Sequence, residues 1–309
     1  MVTGASSGIG VDFARQLASR GHDLFLVARR EDRLRDLAAE VERDHRVSVE
    51  VAPCDLSLPA ARKRLLEQVA ASDLAVETLV NDAGFAHVGD VHKYPAKQLG
   101  MIQVNVEALV ALTTAFLPAM VERGRGAIIN VASMAAFQPI PSQATYAATK
   151  AFVLSFSEAV ATEVRGSGVT VTALCPGPVA TEFVEVAHFK RTIDEMGPSF
   201  VWASPADMAR AGISGAERGA RVVVPGLAQR TIAFVSQHSP HALLLGPLAS
   251  AWRRTIGEPG PQPERSGGVQ NSVPVFTGVD GRRVGPRGPH LEPQTLVRAA
   301  PTPREAPPR

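Results

Sequence analysis

Short apolar runs alternate with longer amphipathic stretches as far as about residue 225, the pattern of strands joined through helices into a parallel sheet. The runs His22–Ala28, Val47–Val51, Val76–Val80, Ala127–Val131, Val169–Leu174 and Arg221–Val224 are nearly continuous in Val, Ile and Leu, as strands covered on both faces require. Ile9, Phe13 and Leu17 recur at four-residue spacing and predict a helix over Gly8–Arg20. Further helices are predicted over Glu31–Arg43, Pro59–Ser72, Ala108–Arg123, Gln143–Arg165 and Pro205–Arg218. The fold class is α/β.

Both ends of the chain depart from this pattern. Only Met1, Val2 and Thr3 precede Gly4, whereas the first strand of such a sheet runs to about five or six residues and lies centrally. Most of that strand is missing from the sequence, and the natural protein is expected to begin upstream. Beyond Gly257 the apolar periodicity stops and eleven of the 24 prolines fall, so residues 257–309 are expected to form a disordered tail. Residues 227–256 carry Ile232, Phe234, Val235, Leu248 and Trp252 and predict a helical lid or oligomer contact, which Pro240 and Pro247 keep from being one long helix. Residues 1–226 are left as the main domain.

Composition narrows the function classes. The 309 residues are 45% apolar and 20% charged, a soluble globular balance, and the net charge of +2 is too small and too interleaved for a grip on phosphate backbones. No nucleic-acid partner is expected. Cys54 and Cys175 show no paired-ligand spacing and the eight histidines no HxxxH, so neither a disulfide framework nor a metal site is argued. No charged leader precedes an apolar core at the start, and no uninterrupted apolar run reaches eighteen residues. A cytoplasmic location without membrane contact is expected.

Three patterns carry chemistry. In Thr3-Gly4-Ala5-Ser6-Ser7-Gly8-Ile9-Gly10 three glycines stand where a strand turns into a helix, so the backbone can approach a pyrophosphate while the helix N-terminus offers unpaired N–H groups. At the end of the next strand, Ala28 is followed by Arg29 and Arg30 instead of an acidic residue that would hold ribose hydroxyls. Those arginines suit a 2'-phosphate, and NADP(H) is expected over NAD(H). Tyr146 and Lys150 share one helix face at four-residue spacing, an acid/base pair in which an ammonium should lower the phenol pKa. Ser133 lies thirteen residues earlier at the end of a strand, where ligands collect in such sheets.

In these motifs the sequence resembles the short-chain dehydrogenase/reductase family over about residues 2–225. Thr3 to Gly10 resembles the TGxxxGIG loop, Cys54-Asp55-Leu56 the element whose Asp meets adenine, and Asn81-Asp82-Ala83-Gly84 the NNAG segment, with Asp82 replacing the usual Asn. Pro176-Gly177-Pro178-Val179-Ala180-Thr181 looks like the PGxxxT turn under the nicotinamide, and Asn105 falls at the catalytic-asparagine position. The resemblance implies a Rossmann-type doubly wound domain with its first strand truncated, acting on a carbonyl or secondary alcohol as a homo-oligomer. It further implies a catalytic set of Asn105, Ser133, Tyr146 and Lys150. Implied cofactor contacts are the loop residues Gly4, Ser6, Ser7, Gly8, Ile9 and Gly10, with Arg29, Arg30 and Asp55 at the adenosine end. Asn81, Ala83, Gly84, Tyr146, Lys150, Pro176, Gly177, Val179 and Thr181 continue toward the nicotinamide. Phe137, Pro139, Ile140, Phe183, Phe189, Phe200 and Trp202 suggest an apolar substrate. The competing class is a non-catalytic NADP(H)-binding sensor, against which the complete Asn/Ser/Tyr/Lys set argues.

Overall fold

The computed structural model describes residues 1–72, 74–179, 182, 203–240 and 245–246. The chain divides into two units, Met1–Pro261 and Gln262–Arg309, and all described residues lie in the first. The expected tail therefore lies outside the described residues.

Seven strands form one parallel sheet: β1 (Val2–Thr3), β2 (Leu24–Ala28), β3 (Val49–Pro53), β4 (Thr78–Asn81), β5 (Gly126–Val131), β6 (Val169–Leu174) and β7 (Val222–Val223). Their order is β3-β2-β1-β4-β5-β6-β7, so the winding reverses between β1 and β4. A crevice opens outside the carboxyl ends at such a reversal, which is where ligands bind in open α/β sheets. Among the described residues the named helices are α1 (Ile9–Ala18), α2 (Glu31–His45), α3 (Pro59–Ala71), α4 (Pro95–Ile102), α5 (Leu109–Glu122), α6 (Ala144–Glu163), α7 (Pro205–Glu217) and α8 (Leu227–His238).

The two-residue period of a strand distributes β2 between two cores. Leu24, Leu26 and Ala28 join Phe13, Leu34 and Ile213 on one face, while Phe25 and Val27 join Leu65, Leu112 and Val160 on the other. Fully covered faces explain why strand and helix positions were readable from apolar runs. Proline opens α3, α4 and α7, where its missing N–H costs nothing, and Ser204 caps α7 by accepting from the Asp207 backbone N–H at 3.1 Å.

β1 is the two-residue strand that the sequence implied, and it is central. Val2 and Thr3 register with Leu26 and Val27 on one side and with Val80 and Asn81 on the other. Leu24 and Phe25, which begin β2, have no registered partner in β1. The Met1 amino group is drawn into the interior and donates to the Thr78 carbonyl at 2.7 Å. Burial without a carboxylate holds its pKa down at about 5.

The sequence pattern missed the helix ahead of Ala108. α4, a π turn over Gln103–Ala108 and α5 form a continuous helix, Pro95–Glu122, whose most apolar window has a mean hydropathy of 1.7. This corrects the expectation from uninterrupted runs: by length and composition the helix is sufficient to cross a bilayer, although Leu109, Leu112 and Met120 are buried in the cores of the domain. Asn105 and Glu107 interrupt its apolar run. α8 ends before Pro240, in keeping with the expected break there.

Candidate active site

The glycine loop bridges β1 and α1 at the winding reversal. Gly4 and Gly8 have φ of +73° and +62°, and a Cβ at Gly10 would lie 2.5 Å from the Gly4 carbonyl oxygen and 2.8 Å from Asp82 Oδ2. Only glycine fits a backbone folded this closely on itself. Thr3 Oγ1 donates to the Val80 carbonyl at 3.1 Å and accepts from the backbone N–H groups of Asp82 and Ala83, each at 3.1 Å. The loop and the Asn81–Gly84 segment are thereby held as one piece. Gly10→Ala is expected to cost about 1–3 kcal/mol through overpacking, measurable as a lowered thermal midpoint.

At the adenosine end, Arg30 reaches back over this loop: Nε donates to Ser6 Oγ at 3.2 Å and Nη2 to the Ser6 carbonyl at 3.1 Å. Its Nη1 donates to Glu182 Oε2 at 2.9 Å, and Arg33 Nη1 to Glu182 Oε1 at 2.5 Å. Arg29 is exposed. Ser7 and Ile9 complete the loop, and both are partly exposed. Asp55 stands at the carboxyl end of β3, where Oδ1 accepts from the backbone N–H and Oγ of Ser57 at 2.9 and 2.7 Å.

The proton-bearing groups converge from three elements. Ser133 lies two residues beyond β5 and caps the 3-10 turn Met134–Phe137, its Oγ accepting from the Ala135 N–H at 3.1 Å. It is also hydrogen-bonded to the buried Tyr146 hydroxyl. Lys150, one turn further along α6, is buried too; Nζ lies 5.9 Å from the Tyr146 ring centroid and donates to the Val131 carbonyl at 2.7 Å. Asn105 comes from the π turn, a local widening of the kind found at functional sites. Its Oδ1 accepts from the Phe85 N–H at 3.1 Å, and its Nδ2 donates to the Phe85 carbonyl at 3.0 Å and to Thr149 Oγ1 at 3.1 Å. Thr149 Oγ1 donates in turn to the Tyr146 carbonyl at 2.7 Å, so Asn105 and the Tyr/Lys helix are linked. At Gly84 a Cβ would lie 3.1 Å from Asn105 Oδ1 and 3.6 Å from Lys150 Nζ, which leaves the backbone close to both.

Burial dominates the protonation states. It raises the Tyr146 phenol to about 12, opposed by the Ser133 bond and aided by the charge of Asp82. The expected depression of this phenol by Lys150 is not seen: the net shift is upward, Lys150 is not among the groups that move it, and Tyr146 holds its proton at neutral pH. Burial lowers Lys150 to about 8, against the opposing charges of Asp82 and Cys175. Asp82 is half-buried by area but walled in by Gly4 and Gly10; desolvation raises it to about 7, against Lys150 and the Gly10 backbone N–H.

The Asn81 side chain is turned away from any cofactor at the loop, which leaves only its backbone to border the crevice. It points into the interior, with Nδ2 donating to Thr113 Oγ1 at 3.2 Å and Asn130 Oδ1 at 2.9 Å. Asn130 Nδ2 continues to Ser157 Oγ at 2.9 Å, a polar chain that pins β4 and β5 to the helices behind them. In this segment Asp82, not Asn81, meets the glycine loop. Ala83 and Gly84 remain at the crevice. Pro176 accepts at its carbonyl from the Met134 N–H at 2.9 Å, Gly177 packs on Gln229, and Val179 bridges Ala203. Thr181, Phe183, Phe189, Phe200 and Trp202 lie outside the described residues. Cys175 is buried and pushed up to about 12, a packed and unreactive thiol.

Sequence reasoning missed Glu182 and Thr149. Thr149 adjoins Lys150 within the same motif, a position from which its role was discoverable. A pairing between Glu182 and arginines about 150 residues earlier leaves no local spacing signal.

Comparison with known proteins agrees with this geometry. The profile of the short chain dehydrogenase family matches residues 1–191. A short chain dehydrogenase of Pseudocercospora fijiensis is 40% identical over 185 residues, covering 59% of this chain and 60% of that protein. A very-long-chain 3-oxoacyl-CoA reductase of Laccaria bicolor is 40% identical over 179 residues, covering 56% of this chain and 52% of that one. The matched region thus spans between half and two thirds of these relatives' lengths. Among solved structures, a short-chain dehydrogenase from Sphingobium yanoikuyae in complex with NADPH superposes with a TM-score of 0.68 at 36% identity, covering 75% of this chain and 90% of that one. The parallel sheet, the glycine loop and this match over most of the folded unit place the chain in the short-chain dehydrogenase/reductase family.

Proposed function

We propose that the protein is an NADP(H)-dependent oxidoreductase interconverting a carbonyl and a secondary alcohol, with Tyr146 as proton donor. The observation that carries this reading is the Ser133–Tyr146 hydrogen bond beside Lys150, at the carboxyl end of β5 and next to the glycine loop. The loop fits a dinucleotide, because the positive φ of Gly4 and Gly8 and the close fold of Gly10 on Gly4 shape a tight backbone turn at the N-terminus of α1, where unpaired N–H groups favour a phosphate. Gly4 to Gly10 would hold the pyrophosphate, Ser6, Ser7, Arg29 and Arg30 the 2'-phosphate, and Asp55 the adenine. Ala83, Gly84, Pro176, Gly177, Val179 and Thr181 would border the nicotinamide half. Bound NADPH supplies a hydride.

In the reducing direction the Tyr146 hydroxyl donates its proton to the carbonyl oxygen as negative charge develops there. A phenol near 12 keeps that proton available at neutral pH. Ser133 holds the same oxygen by a hydrogen bond that strengthens with the charge. Lys150 holds ribose hydroxyls, and Asn105 fixes the Phe85 backbone and, through Thr149, the start of the Tyr146 turn. Tyr146 itself packs in a cluster of Ala86, Val88, Met101 and Ala135, with Phe85 and Ile140 against it. An apolar small-molecule substrate is part of the reading, supported by this apolar cluster adjoining the Tyr146 ring. A homo-oligomer is part of the same reading, supported by exposed Val121 on α5 and by Phe152 stacked on Phe156 on α6.

The cofactor assignment has a direct test. Each charge-assisted contact to a 2'-phosphate is worth about 1.5–3 kcal/mol, or about one to two decades of affinity. Calorimetric titration should give NADPH tighter than NADH by that factor, with Arg30→Ala losing most of the difference. Equal binding of the two by the unaltered protein would remove the NADP(H) assignment.

A further inference from the structure

The two arginines at the start of α2 already carry an anion supplied by the chain itself. Glu182 directly follows the Pro176–Thr181 sequence motif, far from the arginines along the chain, yet its two carboxylate oxygens are divided between Arg30 at 2.9 Å and Arg33 at 2.5 Å. Arg30 also donates from Nε to Ser6 Oγ and from Nη2 to the Ser6 carbonyl, so one guanidinium joins the glycine loop to Glu182. The charge is stabilised where it sits, since bonds from Arg33 and then Arg30 hold the Glu182 carboxyl below its ordinary value. A carboxylate and a phosphate monoester present the same feature to a guanidinium fork, paired anionic oxygens that accept parallel N–H bonds.

We propose that Glu182 is an internal competitor for the 2'-phosphate, occupying Arg30 and Arg33 and thereby setting how strongly the protein prefers NADPH over NADH. The proposal rests on the reading of Arg30 as a 2'-phosphate ligand. A ligand lacking that phosphate leaves the Glu182 pairs intact and gains nothing from their loss. A ligand carrying it must displace a carboxylate first, and its affinity is reduced by the strength of the pairs it replaces. The three side chains are each roughly two-fifths exposed, so those pairs are solvent-screened and their removal has a modest effect.

Glu182→Gln keeps the size of the side chain and removes its charge. Calorimetric titration of this variant is expected to show NADPH and adenosine 2',5'-bisphosphate binding about two- to fivefold tighter than to the unaltered protein. NADH and adenosine 5'-phosphate are expected to bind as before. In an Arg30→Ala/Arg33→Ala background the same substitution should leave NADPH affinity unchanged, because the competition has lost its object. Thermal melts of each variant separate these effects from loss of fold. Weaker or unaltered NADPH binding by Glu182→Gln would overturn the proposal, as would an equal gain for NADH. If Arg30→Ala leaves NADPH and NADH affinities unchanged, the underlying reading of Arg30 fails and the competition fails with it.

Discussion

Tyr146→Phe is expected to lower turnover by roughly 10²- to 10⁴-fold while leaving NADPH affinity nearly unchanged. The substitution removes one oxygen atom. That oxygen is bonded to Ser133, whereas the ring packs among Ala86, Val88 and Met101, contacts that a phenyl group keeps. The loss is therefore chemical, with the fold and the glycine loop untouched. Steady-state rates with NADPH and a responsive carbonyl compound, beside calorimetric affinities, read the two effects separately. Unaltered turnover in the Tyr146→Phe variant would show that the proton comes from elsewhere.

The pH dependence of stability is expected to change most at Asp82→Asn. In the folded protein Asp82 has a pKa of about 7, against 3.8 when unfolded, so between those values the native state binds a proton that the unfolded chain has released. Stability from this group is complete below about pH 4 and is lost as pH rises toward 7, by about 4 kcal/mol. Lys150, lowered from 10.5 to about 8, adds stability as pH rises through that interval.

Asparagine at position 82 can still accept from the Gly10 N–H but carries no charge. The variant should match the unaltered protein near pH 4 and exceed it by up to about 4 kcal/mol at pH 8. Denaturant unfolding across this range measures both; parallel curves for the two proteins would show that Asp82 is ionised in the native state throughout. A smaller gain is also expected in NADPH affinity at pH 8, because a carboxylate beside Gly4 and Gly10 opposes an incoming pyrophosphate.

The sheet was legible because nearly every strand is covered on both faces and so reads as an apolar run, as Val169–Leu174 does without any error of boundary. α4 and the π turn were not legible. Gly100, Asn105 and Glu107 interrupt their apolar pattern, and the π widening arises from packing that brings Asn105 onto Phe85 and Thr149. Ser133, Tyr146 and Lys150 were found because a strand end and a four-residue helical spacing fix where such side chains fall. Their protonation was misjudged because it depends on burial, which spacing does not report. The side-chain direction of Asn81 was not legible for a related reason: at the end of β4, a side chain faces either the crevice or the interior, and Thr113 and Asn130 on distant elements decide it. The role of Glu182 depends entirely on tertiary placement.

Hydride transfer itself is measured most directly with NADPH deuterated at C4, followed by mass analysis of the alcohol formed from a panel of apolar aldehydes and ketones. The unaltered protein is expected to place deuterium on the carbinol carbon of at least one product, and Tyr146→Phe to place almost none. Tight NADPH binding with no deuterium delivered to any member of the panel would contradict the oxidoreductase assignment and leave a nucleotide-binding protein in its place.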